Sequence, residues 1–150
     1  MRPFLEAGCI SAIVVAAIVA HPVRANAQVV LGKQVNVAVD IRCLSGNGVS
    51  VTLSPWSAQL FVGDSIAWLL NQDAGVSEIT ITPKQSTSWP FTSNGPYKGN
   101  AKTPPKGKGM KATVKPGDRY SYNVTAACVR ADGTTSNVVI DPDMIIIGGN

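Results

Sequence analysis

The stretch Tyr120-Ser121-Tyr122-Asn123-Val124-Thr125-Ala126-Ala127-Cys128 decides the fold. Its even positions are aromatic, apolar or cysteine and its odd positions small or polar, the two-residue period of a strand with one buried face. The same period runs through Val35-Asn36-Val37-Ala38-Val39-Asp40-Ile41, where the odd positions are apolar and Cys43 continues the inward parity. Val49, Val51 and Leu53 alternate with Ser50 and Thr52, and Ile79 and Ile81 alternate with Thr80 and Thr82 until Pro83 ends the ladder. Ile66 to Leu70 is apolar almost throughout, as in a strand from the interior of a sheet.

Gly63-Asp64, Pro116-Gly117-Asp118 and Ala131-Asp132-Gly133-Thr134 read as turns. Val138 to Ile140 and Met144 to Ile147 flank Asp141-Pro142-Asp143 as a closing strand or strands. Short strands punctuated by Gly and Pro, with no sustained helical period, predict an all-β fold: an antiparallel Greek-key β-sandwich or barrel.

Residues 1–27 have the layout of a secretory signal peptide: Arg2, an apolar run from Ile10 to Ala20, and Ala25-Asn26-Ala27 before Gln28. That run is well short of the roughly 20 residues that span a bilayer, so no membrane span is expected after cleavage. The expected product is residues 28–150, a single β-sandwich domain in the periplasm or cell exterior. The leader would remove Cys9 and His21, the only histidine of the chain. Eleven basic and eight acidic residues remain, a net charge of +3 that gives no indication of nucleic-acid binding.

Cys43 and Cys128 are then the two cysteines of a chain bound for an oxidising compartment, and both have the inward parity of their strands. A disulfide between them is expected, with two free buried thiols as the alternative.

Gly63-Asp64-Ser65-Ile66-Ala67-Trp68, followed by Asn71 and Asp73, resembles the G-D-x-x-x-W…N-x-D stretch of cupredoxins, the plastocyanin and azurin type of sandwich. Pro116-Gly117-Asp118-Arg119-Tyr120-Ser121-Tyr122 is similar to the P-G-x-x-Y-x-Y that leads into the last ligand loop of that family. The resemblance implies a cupredoxin-like sandwich and places the first copper histidine at Ser77, beside Glu78, and the copper cysteine at Val124. The second histidine has no counterpart in residues 129–137. A blue-copper site needs two imidazoles and a thiolate, so the scaffold is expected without copper and with no other cofactor. A copper-binding electron-transfer or copper-handling protein with unrecognised ligands is the alternative, and Met110 with Met144 is its thioether version.

Other chemistry is thinly supplied. Without histidine there is no Ser-His or Cys-His pair, and S-x-x-K does not occur after residue 27. Asp73 with Glu78 is the nearest carboxylate pair, and Asp141 with Asp143 the nearest hard-cation donor set. No enzymatic activity is expected.

One segment breaks the strand rhythm. Residues 84–111, KQSTSWPFTSNGPYKGNAKTPPKGKGMK, hold six lysines, four prolines and four glycines, and loops of this length in compact domains are commonly functional or disordered. Trp89, Phe91 and Tyr97, with Lys98, Lys102, Lys106 and Lys108, form the candidate binding surface, suited to an anionic envelope component or an acidic protein. The competing reading packs the aromatics down to pin the loop, with the lysines keeping it soluble.

Overall fold

The computed structural model describes residues 32–44, 48–71 and 75–148; the expected leader at 1–27 and Asp73 lie outside the described residues. The chain forms β1 (Gln34–Cys43), β2 (Val49–Ser54), β3 (Ser57–Phe61), β4 (Ser65–Asn71) and β5 (Val76–Pro83). After β6 (Tyr97–Gly99) and β7 (Lys106–Gly107) come β8 (Arg119–Val129), β9 (Thr135–Ile140) and β10 (Asp143–Ile147). The fold is all-β, a sandwich of two sheets. One has the order β2-β1-β4-β7 and the other β3-β10-β8-β5-β6, with β9 also paired to β8.

The two-residue period holds in the strands that build the core. In β8, Tyr122, Val124, Ala126 and Cys128 are buried while the residues between them are only partly so. In β1 the buried set is Val37, Val39 and Ile41, and β4 is buried from Ile66 to Trp68, as its apolar run predicts. Removing each large apolar side chain from water contributes about 1.5–3 kcal/mol.

Most pairings are antiparallel, but β4 runs parallel to β1 and β3 runs parallel to β10. The first follows from the path of the chain. β2 returns antiparallel along β1, β3 crosses to the opposite sheet, and β4 comes back beside β1 in its direction. The closing segment is two strands on one edge of β8. β9 pairs with residues 124–129 and β10 with residues 119–121. Pro142 separates them because it lacks the N–H a ladder needs, while its carbonyl still accepts the Tyr122 N–H at 3.1 Å.

The expected disulfide joins Cys43 at the end of β1 to Cys128 near the end of β8, and so ties one sheet to the other. Its Cα atoms are 5.7 Å apart across 85 residues of sequence, a loop for which the chain-entropy estimate is about 4–5 kcal/mol. Gly75 lies against it: a Cβ there would stand 2.7 Å from Cys43 Sγ.

Residues 84–111 are more regular than their composition predicts. They contribute β6 to the edge of one sheet and β7 to the edge of the other, with a further bridge between Phe91 and Met110. Residues 100–105 cross between these edges and close this side of the sandwich.

Candidate functional site

The aromatic half of this cover faces inward. Trp89 is 1% exposed and Phe91 is fully buried. The Trp89 ring stands 5.8 Å from Phe91, 6.1 Å from Tyr122, 6.3 Å from Tyr120 and 6.4 Å from Tyr97, centroid to centroid. Its indole Nε1–H donates to the Tyr97 hydroxyl at 2.9 Å, and that hydroxyl donates to the Ser93 carbonyl. Tyr97 is half-buried with its ring 5.9 Å from Trp68. Burial raises its phenol pKa, with the hydrogen bonds to Trp89 and Ser93 opposing the rise. Trp89 and Phe91 are therefore buried and share no exposed surface with the lysines, where a joint surface was expected. Burying large rings stabilises the cover, and the Tyr97 partner removes the cost of a stranded indole N–H.

The lysine half faces outward. Lys98, Lys102, Lys106 and Lys108 are all exposed, and among the described residues none of the four is ion-paired. Local geometry explains the division. Gly99 and Gly107 are the buried neighbours of Lys98 and Lys106. A Cβ on Gly107 would stand 2.6 Å from the Phe91 ring and 3.0 Å from Ile66, and one on Gly99 would stand 2.4 Å from the Thr103 carbonyl. Lys-Gly is thus strand alternation in which the inward residue must be glycine, because Gly107 lies directly on the Phe91 ring and Gly99 directly on Thr103 and Pro105 of the crossing. The crossing that carries Lys102 is held by the Asn100 side chain, which accepts from the N–H groups of Lys102 and Thr103, both at 2.9 Å.

These four lysines follow the cover from the β6 edge, over the crossing, to the β7 edge and just beyond it. Along the sequence the charge around them is one-sided, and in space the exposed Glu78, next to the Ile79–Gly99 pair, is the acid at the β6 end. Between Glu78 and Asp118 the sequence contains seven lysines and no carboxylate. Lys84 pairs with Asp141, and Lys111 Nζ donates to the Asn94 side chain at 3.1 Å. The result is a basic rim across the thickness of the sandwich.

The positions at which the resemblance places copper ligands do not converge. Val124 is 1% exposed, inside the apolar core, and pairs with Ile81 and Ile140. Ser77 is exposed at a break in the β5–β8 register, four residues along β5 from the Ile81 that faces Val124. It borders a shallow depression of about 290 Å³ shared with Val76, Asn100, Ala101 and Lys102. An outward serine and an inward valine do not fit the trigonal imidazole and thiolate set of blue copper.

The remaining metal candidates are engaged elsewhere. Met144 is fully buried, and Met110 Sδ accepts the Gly63 N–H at 3.3 Å. Asp141 and Asp143 turn to Lys84 and Arg119 respectively. Glu78 is exposed on β5. Among the described residues, no group of three or more His, Cys, Asp or Glu is placed to hold a metal.

The chain matches no family model and no curated protein. The two motifs behind the resemblance are, in this molecule, turn-building devices. Asp64 is buried; its Oδ2 accepts the Phe61 N–H at 3.0 Å, and its Oδ1 accepts the Lys33 N–H at 2.7 Å. Asp118 Oδ2 accepts the Lys115 N–H at 2.8 Å and the Tyr120 hydroxyl at 3.1 Å. Each aspartate follows a glycine with positive φ, Gly63 at 97° and Gly117 at 94°, and closes the turn with the carboxylate of its own side chain.

Proposed function

We propose that this chain is an exported, copper-free, cupredoxin-like binding module that engages an extended anionic glycan of the periplasm or cell exterior. The contact is the rim of Lys98, Lys102, Lys106 and Lys108, and the module is not an enzyme. The observation that carries this reading is four exposed lysines on the cover, none ion-paired among the described residues, within a stretch of sequence free of acids.

Magnitudes favour a polymer over a small anion at the rim. An exposed lysine near a dense anionic surface is worth about 1 kcal/mol, so four give about 4 kcal/mol, a millimolar interaction. Such contacts hold only where charges are dense enough for rebinding, as along a polyuronate or beneath an anionic surface. They also weaken as salt shortens the Debye length from about 10 Å at 0.1 M to about 3 Å at 1 M.

The test is retention of residues 28–150 on immobilised polygalacturonate, with neutral dextran as control. Retention at low salt, release by salt, and loss in a variant with all four lysines changed to Gln support the reading. Equal retention of the variant, or retention on anionic lipid vesicles but not on the glycan, overturns it. Metal analysis of the purified protein adds a separate check. Stoichiometric copper with a strong visible band would replace this reading by the copper-handling one.

A further inference from the structure

A second, separate site lies at the start of the cover. A cavity of about 150 Å³ opens between the end of β5 and the start of β8, with Lys84 and Arg119 among its lining residues. We propose that it binds a small monocarboxylate with a compact apolar body.

Two cations line the space and their acidic partners do not. Lys84 pairs with Asp141, and Arg119 Nη1 pairs with Asp143 Oδ2 at 3.0 Å, but neither aspartate lines the cavity. The two acids flank Pro142 and stay outside the lining, so the cations reach the space without a carboxylate beside them. Lys carries three N–H donors and Arg five, and one ion pair each leaves donors free to meet a carboxylate. The other polar lining groups, Gln85, Ser88 and Ser121, include no ionised acceptor, so the site is complementary to an anion and carries no carboxylate to repel it.

The floor argues for the apolar body. Trp89 and Tyr120 complete the lining, and their polar atoms are already committed, the indole N–H to Tyr97 and the phenol to Asp118. Trp89 is 1% exposed and closes the base of the space, so the ring surface open to a ligand is mainly that of Tyr120, which is part-buried. A space of about 150 Å³ is large enough for a single six-membered ring, which would lie against Tyr120 with its carboxylate toward Lys84 and Arg119. The walls are fixed: Lys84 N–H donates to the Ser121 carbonyl at 3.1 Å.

The experiment is a titration of residues 28–150 with benzoate, followed by amide and indole resonances, with benzamide as the neutral isostere. Saturable shifts are expected at the amides of residues 84–89 and 119–121 and at the Trp89 indole. Benzamide should bind at least about tenfold more weakly, because it cannot use the charge-assisted hydrogen bonds. Lys84→Gln and Arg119→Gln should each weaken benzoate by a similar factor. Asp143→Asn breaks the same ion pair as Arg119→Gln but keeps the guanidinium, and should retain binding, which separates ligand contact from general destabilisation. The variant lacking the four rim lysines should bind benzoate unchanged. Shifts spread over the rim, equal binding of benzamide, unaltered binding by the Lys84 and Arg119 variants, or no saturation would overturn the proposal.

Discussion

The two halves of the cover stand next to each other in sequence and do opposite things. Trp89, Phe91 and Tyr97 fill the space between the sheets, whereas Lys98, Lys102, Lys106 and Lys108 stay in solvent on short edge strands and their connection. Aromatic residues followed by lysines can look like one mixed binding surface, and here they are a plug and a rim. The plug fixes where the rim stands, so the halves should respond to substitution in opposite ways: the first in stability, the second in binding.

The largest expected effect is Trp89→Ala, which empties a site bounded by four other rings and removes the indole donor to the Tyr97 hydroxyl. It should cost about 3–5 kcal/mol in chemical denaturation. Where the variant still folds, it should bind anionic glycan as before at temperatures well below its melting transition. Gly107→Ala should come next, at about 1–3 kcal/mol, because the added methyl meets the Phe91 ring and the strand must lift. A neutral result there would mean that the Lys-Gly alternation is not set by packing.

A smaller effect concerns pH. Burial pushes the Tyr122 phenol up to about 12, with Trp68 opposing the rise and Asp143 adding to it. Tyr120 is also raised to about 12, by burial first and then by its hydrogen bond to Asp118 and the charge of that group. A raised folded pKa means that the native state keeps a proton the unfolded chain has already lost. The resulting stability is fully present below about pH 10 and is lost as pH climbs toward about 12. For Tyr122 alone the loss at pH 11 is about 1.4 kcal/mol. Tyr122→Phe should flatten denaturation midpoints across that window. At neutral pH it should cost little, because among the described residues the Tyr122 hydroxyl and the Trp68 indole N–H reach no partner in good hydrogen-bond geometry. Unchanged steepness above pH 10 would place the titration elsewhere.

Much of the fold was legible because burial on one face of a strand leaves a period of two. Tyr122 to Cys128 and Val37 to Ile41 carried that period, and it put both cysteines inward, where the disulfide forms. The cover was harder to read. Its inward residues at the edge strands are glycines, which carry no hydrophobic signal, so Lys98-Gly99 and Lys106-Gly107 do not register as alternation. Trp89 and Phe91 could not be placed from sequence because an aromatic beside Ser, Thr and Pro suits a core plug and a ligand platform equally. The lysines were legible as a candidate surface; the acid-free stretch around them was the further signal.

Ser77 and Val124 show the limit of reading by motif. Gly63-Asp64 and Gly117-Asp118 predict where the chain turns, since each aspartate caps its own turn. They carry no information about what lies several residues downstream. The strand register puts Ser77 and Val124 on different faces and at different heights of the β5–β8 pair.

The most direct test of the account is the salt dependence of binding to polygalacturonate, measured side by side for native residues 28–150 and the variant with Lys98, Lys102, Lys106 and Lys108 changed to Gln. The four substitutions are exposed and should each alter stability by no more than about 0.5 kcal/mol, so any change in binding reports the rim itself. The account predicts strong low-salt retention of the native protein, steep loss with added salt, and near-absent retention of the variant. Native and variant curves that superimpose would contradict it.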